Sequence, residues 1–133
     1  MSGAKIFSEG DRATLEAVLS ALRELRSPFA LYESDIHGWV AAQLNASGLD
    51  CRHEAVIGKG CRIDFLVEGI GIEVKKGKPS PSVVLAQLRR YAACPDIRGL
   101  VVLSQRSIRL PDTVLGVPVR VIPLSQLWGI ALP

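Results

Sequence analysis

Asp64, Glu73 and Lys75 are the residues whose types and spacing best suit chemistry. They lie in Arg62-Ile63-Asp64-Phe65-Leu66-Val67-Glu68-Gly69-Ile70-Gly71-Ile72-Glu73-Val74-Lys75-Lys76, two apolar-alternating runs joined by Glu68-Gly69. That pattern predicts a β-hairpin. With Glu68 and Gly69 as the turn, Val67 pairs with Ile70, Phe65 with Ile72, and Asp64 stands opposite Glu73. Directly opposed side chains have Cβ atoms roughly 4.5–5.5 Å apart, and like charges there destabilise a sheet. Something has to offset the repulsion. Lys75 is two residues beyond Glu73 and shares its face, while Ile63, Phe65, Ile70, Ile72 and Val74 point to the other. Two carboxylates beside an ammonium suit a hard divalent cation such as Mg²⁺, which prefers carboxylate oxygens and keeps several waters. A four-residue loop would preserve this arrangement, whereas an odd loop with a bulge would separate the three side chains.

The surrounding elements must hold that hairpin. Asp11 to Leu25 reads as an amphipathic helix with Leu15, Val18, Leu19, Leu22 and Leu25 on one stripe and Asp11 as N-cap, ended by Ser27-Pro28. A second helix runs from about Glu33 to Ala46 and turns Ile36, Trp39, Val40, Gln43 and Leu44 inward, beside Tyr32. Glu33, in its first turn, can complement the helix dipole or take part in chemistry. Cys51 to Ile57 is a strand, Gly58-Lys59-Gly60 a turn, and the hairpin completes a three-strand meander. After Gly77-Lys78-Pro79, Ser80-Pro81 starts a helix to about Ala93 on which Gln87 and Tyr91, four apart, share a face beside Arg89 and Arg90. Arg98 to Ser104 is a strand buried on both faces and parallel to an earlier one across that helix. Val117 to Ile122 is a further strand that Pro118 sends to a sheet edge, and Pro123 to Trp128 a short terminal helix. The fold class expected is α/β in one domain over 1–133.

Composition narrows the function. The 133 residues are 48% hydrophobic, enough for one core. No apolar run approaches the roughly 18 residues of a membrane span, and the N-terminus lacks the apolar segment of a signal peptide, so a cytoplasmic location without membrane association is expected. Cys51, Cys61 and Cys94 have no CxxC spacing and read as reduced structural thiols. His37 and His53 lack an HExxH or HxxxH partner and read as structural or surface residues. The net charge of +3 hides an asymmetry: residues 52–109 hold eleven Lys/Arg against five Asp/Glu, a surplus of six. Such a surface favours phosphate-rich partners over a merely solvated face. Walker and GxGxxG phosphate loops are absent.

Asp64 followed by Glu73-Val74-Lys75 resembles the D…ExK core of the PD-(D/E)XK nuclease superfamily, with Ile63 where the name has Pro. The order helix, three-strand meander, helix, strand over about 33–104 is similar to that superfamily's restriction endonuclease-like αβββαβ core, to which the helix at 11–25 and the edge strand at 117–122 are additions. Gly58 to Asp64 also resembles the glycine- and arginine-rich approach to the catalytic Asp in small archaeal-type Holliday junction resolvases. The resemblance implies Mg²⁺-dependent endonucleolytic hydrolysis of phosphodiesters, with Mn²⁺ as substitute metal, in DNA more than RNA and in structured or branched DNA. Asp64, Glu73 and the main-chain carbonyl of Val74 would hold the metal, and Lys75 would orient the attacking water or add positive charge near the phosphate. Glu33, preferred over Glu54 because it matches the family's helix position, would complete the site. Gln87 and Tyr91 would support it, and Lys76, Lys78, Arg89 and Arg90 would contact phosphates. The alternative is a catalytically inactive module of the same fold that binds nucleic acid or a partner protein. The extra Leu stripe at 11–25 and the symmetry needed to cut two strands suggest a homodimer, with intramolecular packing of that helix as the alternative.

Overall fold

The computed structural model describes residues 5–25 and 33–127, apart from the side chains at 33–35 and 126–127. Ser27-Pro28, Tyr32, Trp128 and the side chain of Glu33 therefore lie outside the described residues. The chain is an α/β protein in which helices cover both faces of a six-stranded mixed sheet.

Helix α1 spans Glu9–Arg23 and starts two residues earlier than the apolar stripe suggests. Its N-cap is Ser8, whose hydroxyl accepts from the Asp11 N–H while the Asp11 carboxylate accepts from the Ser8 N–H. Asp11 is thus the third residue of a capping box and not the cap. Helix α2 spans Glu33–Ala46, as its periodicity predicts. Strands β1 (Arg52–Gly58), β2 (Cys61–Val67) and β3 (Ile70–Lys75) form the antiparallel meander. Helix α3 (Pro81–Ala92) then crosses over to β4 (Gly99–Ser104), which is parallel to β3 and buried at every position.

The sheet order is β1-β2-β3-β4-β6-β5, with β5 at Thr113–Val114 and β6 at Val117–Pro123. β6 is parallel to β4, and its outer side is paired by β5, which places Thr113 opposite Pro118. The expected edge strand is therefore one position inside the edge. Pro118 is tolerated because a two-residue partner asks little of its backbone. A four-residue helix, α4 (Leu124–Leu127), closes the described chain.

Two apolar layers enclose the sheet. Leu15, Leu22, Ile36, Val40 and Leu44 of α1 and α2 meet Phe65, Ile70, Ile72 and Val74 on one face. Val84, Leu88 and Tyr91 of α3 meet Ile63, Leu66, Leu100 and Val102 on the other. The α1 stripe, expected to be spare for a dimer, is consumed by this intramolecular core. Ile63 also departs from expectation, lying with α3 while Phe65, two residues on, faces α2. Alternation requires residues two apart to share a face, so the strand changes face at Asp64.

The turn also differs in detail. Glu68 takes the positive φ, 51°, that Gly69 was free to adopt. Gly69 is needed instead for close approach, since a Cβ there would collide with the Arg98 side chain and sit 3.2 Å from the Asp96 carbonyl.

Candidate active site

The hairpin pairs in the expected register, Val67 with Ile70 and Phe65 with Ile72, and then opens. Beyond Phe65 the next pair would be Asp64 and Glu73, and backbone pairing gives way to side-chain contacts. The Val74 N–H donates to Asp64 Oδ2 at 2.8 Å, and the Asp64 N–H reaches Glu73 Oε1 at 3.4 Å. Each carboxylate thus takes a main-chain donor that an unbroken ladder would have used. β1 changes face at the same level: Glu54, which stands across from Asp64 in the β1–β2 register, has φ 51°. Its neighbours divide accordingly, with His53 stacked on Phe65 and Ala55 buried on the α3 side. A left-handed non-glycine residue costs roughly 1–2 kcal/mol, and such strain tends to gather beside functional groups.

Around this opening the structure gathers most of the expected residues. Glu73 is buried, and its Oε2 lies 3.0 Å from Lys75 Nζ. Its Oε1 accepts from Tyr91 Oη at 3.1 Å, and Gln87 Nε2 donates to the same hydroxyl at 2.8 Å. Four residues of two elements, α3 and β3, therefore form one chain, Gln87 to Tyr91 to Glu73 to Lys75. Burial first, and then the charge of Asp64, push the Glu73 carboxyl above the usual range, with Lys75 and Tyr91 acting against them. Burial and the adjacent Glu73 charge likewise keep the Tyr91 hydroxyl protonated far beyond neutral pH.

Histidine is what the sequence reading missed. His37 Nε2 lies 3.6 Å from Asp64 Oδ2, and His37 Nδ1 is 2.9 Å from His53 Nε2. His37 Nε2 is buried and has no hydrogen-bond partner among the described residues. α2 does deliver a group to Asp64, from one turn beyond Glu33, whose own side chain is outside the described residues. The available signal was the shared helix face of Glu33 and His37. Absence of a linear metal motif concealed it, because His53 arrives from a strand. Glu54 is exposed.

Two carboxylates and an ammonium on one opened strand pair, with an imidazole brought by α2, form a constellation suited to phosphate chemistry. No family model, no characterised protein and no solved structure matches the chain.

Among the described residues, no group of three or more His, Cys, Asp or Glu side chains could hold a metal ion as it stands. Mg²⁺ asks for less: one or two carboxylates, with waters and substrate phosphates completing its octahedron. Asp64 and Glu73 could meet that requirement, and His37 Nε2, 3.6 Å from Asp64 Oδ2 and without a hydrogen-bond partner among the described residues, could serve as a further donor.

A groove of about 390 Å³ lies beside the cluster, lined by Lys75, Ser82, Val83, Ala86, Gln87 and Arg90, without an acidic side chain. Lys76, Lys78, Arg89 and Arg90 are exposed on the β3–α3 loop and on α3. A cavity of about 560 Å³ between residues 107–112 and Val119–Val121 contains none of the expected site residues. The three cysteines are free thiols, and burial and contact with Cys94 push Cys61 up to about 11.

Proposed function

We propose that this protein is a metal-dependent nuclease of the PD-(D/E)XK type, hydrolysing phosphodiester bonds in DNA. The observation that carries the reading is the meeting of Asp64 and Glu73 where the hairpin opens, with the Lys75 ammonium 3.0 Å from Glu73 Oε2. Supporting it are the order α2-β1-β2-β3-α3-β4, with an antiparallel meander followed by a parallel crossover, and the Gln87–Tyr91 pair tied to Glu73.

Mg²⁺ or Mn²⁺, when bound, would stabilise charge developing on the phosphate and lower the pKa of an attacking water. Asp64 and Glu73 would hold it, with the Val74 carbonyl and His37 Nε2 as further donors. Lys75 would leave Glu73 to orient the water or meet the phosphate, since one ammonium cannot saturate the carboxylate while a cation shares it. Tyr91, held by Gln87, would fix the Glu73 carboxylate through its hydroxyl. Burial raises the pKa of Glu73, and a cation takes the ionised carboxylate, so binding would strengthen as pH rises. Arg90 would draw the strand along the groove, and Lys76, Lys78 and Arg89 would hold flanking phosphates without reading sequence.

A second reading has an observation of its own. The cluster is already satisfied internally, Glu73 by Lys75 and Tyr91 and Asp64 by Val74. This would suit a nuclease-like module that binds nucleic acid without cutting. Calorimetric titration with Mn²⁺ and Mg²⁺ separates the two. Binding that Asp64→Ala abolishes is the expected result, and no binding by the wild type would favour the module.

A further inference from the structure

The histidine pair poses a question of protons. His37 Nδ1 and His53 Nε2 are 2.9 Å apart, so one ring donates and the other accepts. If His53 donated, a neutral His37 would carry its own proton on Nε2. That nitrogen is buried, and at 3.6 Å the Asp64 oxygen is beyond hydrogen-bonding range. A buried N–H would be left unmade. If His37 donates, Nε2 is a bare lone pair facing a carboxylate, which is favourable when a cation joins the two. Two ligand atoms, each about 2.1 Å from one cation, stand roughly 3.0–3.6 Å apart for angles between 90° and 120°. The observed 3.6 Å falls at the upper end of that span.

His53 is built to accept. It is exposed, so its Nδ1–H can be met by water at little cost. Its ring is stacked on Phe65, centroids 4.7 Å apart and planes 16° apart, and it meets the His37 ring edge-on at 5.1 Å and 65°. Phe65 directly follows Asp64, so the strand that presents the carboxylate also carries the ring that sets the orientation of the imidazole pair.

We propose that His53 is a positioning residue that accepts the His37 Nδ1 proton and thereby holds His37 Nε2 unprotonated toward Asp64. This rests on the reading of Asp64 as a metal ligand. His53 acts through His37 and touches neither metal nor substrate. Partners of this kind typically alter metal affinity by about 10–100-fold when removed.

Nitrogen-15 NMR of the histidine side chains decides it without metal or substrate. His37 is expected to be protonated on Nδ1 and bare on Nε2. His53→Ala is expected to give a tautomer mixture and to weaken Mn²⁺ binding in calorimetry about tenfold or more. His53→Gln, whose amide oxygen can accept the same proton, is expected to recover most of both. An Nε2-protonated or doubly protonated His37 in the wild type would overturn the proposal, as would a tautomer indifferent to His53→Ala. If the wild type binds no Mn²⁺, the nuclease reading fails, while the NMR result still decides the role of His53.

Discussion

Glu73 is held in an apolar layer by Lys75 and Tyr91, and burial and Asp64 together raise its pKa above the unfolded value. The folded protein then binds that proton more tightly than the unfolded chain. Its contribution to stability is greatest below the unfolded pKa, about 4.3, and is lost as pH rises through the raised folded value. Asp11, whose pKa is lowered first by the Ser8 N–H, works in the opposite sense at lower pH. Comparison with Glu73→Gln isolates the first effect. We expect that variant to lose metal-dependent activity, to melt roughly 3–6 °C above the metal-free wild type at pH 7.5, and to flatten the decline in Tm above about pH 5. An unchanged melting profile would mean that Lys75 and Tyr91 fully offset the burial. Tyr91→Phe removes the hydroxyl between Gln87 and Glu73. It should lower turnover about tenfold with little change in substrate KM, measured by steady-state cleavage. Asp64, Glu73 and Lys75 were legible because a two-residue turn fixes which residues face each other. The Tyr91 contact followed from helical spacing to Gln87. His37 was not legible, because its neighbour His53 is brought by β1 and no local pattern announces a contact across elements.

At the scale of elements, the change of face at Asp64 and Glu54 is what alternation could not predict. Regular period-two strands would have placed Ile63 with Phe65, and the observed opposite placement frees the two carboxylates from the ladder. Glu54 supplies part of the bend at φ 51°. Glu54→Gly should therefore stabilise the protein by about 1 kcal/mol by relieving a left-handed conformation, read from urea denaturation. A loss of stability would show that the glutamate side chain holds β1 in place. Gly71 tests the opposite limit. A Cβ there would collide with Ile63 and approach Leu100 to 3.2 Å. We expect Gly71→Ala to cost roughly 1–3 kcal/mol, the range for overpacking a filled core. The helices and the five longer strands were read from periodicity and turn residues, with ends displaced by a residue or two. β5 was missed because two residues carry no period, and β6 was assigned to the edge because Pro118 has no N–H to give a neighbouring strand.

Considered whole, the molecule is a sheet covered on both faces, with its proposed site where β2 and β3 part. The α1 stripe is committed to the core: Val18 and Leu22 have no exposed surface. Leu22→Ala should destabilise the monomer by about 2–5 kcal/mol, and a dimer would have to form through another surface. Among the described residues no helix is long and apolar enough to cross a membrane. The basic surplus of residues 52–109 predicts DNA affinity that falls steeply between about 50 and 200 mM salt, with a shallower slope for Arg90→Ala. The central claim is that the opened hairpin cuts phosphodiesters through Lys75, and cleavage by Lys75→Ala tests it most directly. A panel of linear, branched and single-stranded DNA is incubated with Mg²⁺ or Mn²⁺ while binding is followed in parallel. The account predicts cutting by the wild type and a loss of at least about a hundredfold in Lys75→Ala with DNA binding retained. Undiminished cleavage by Lys75→Ala would contradict it.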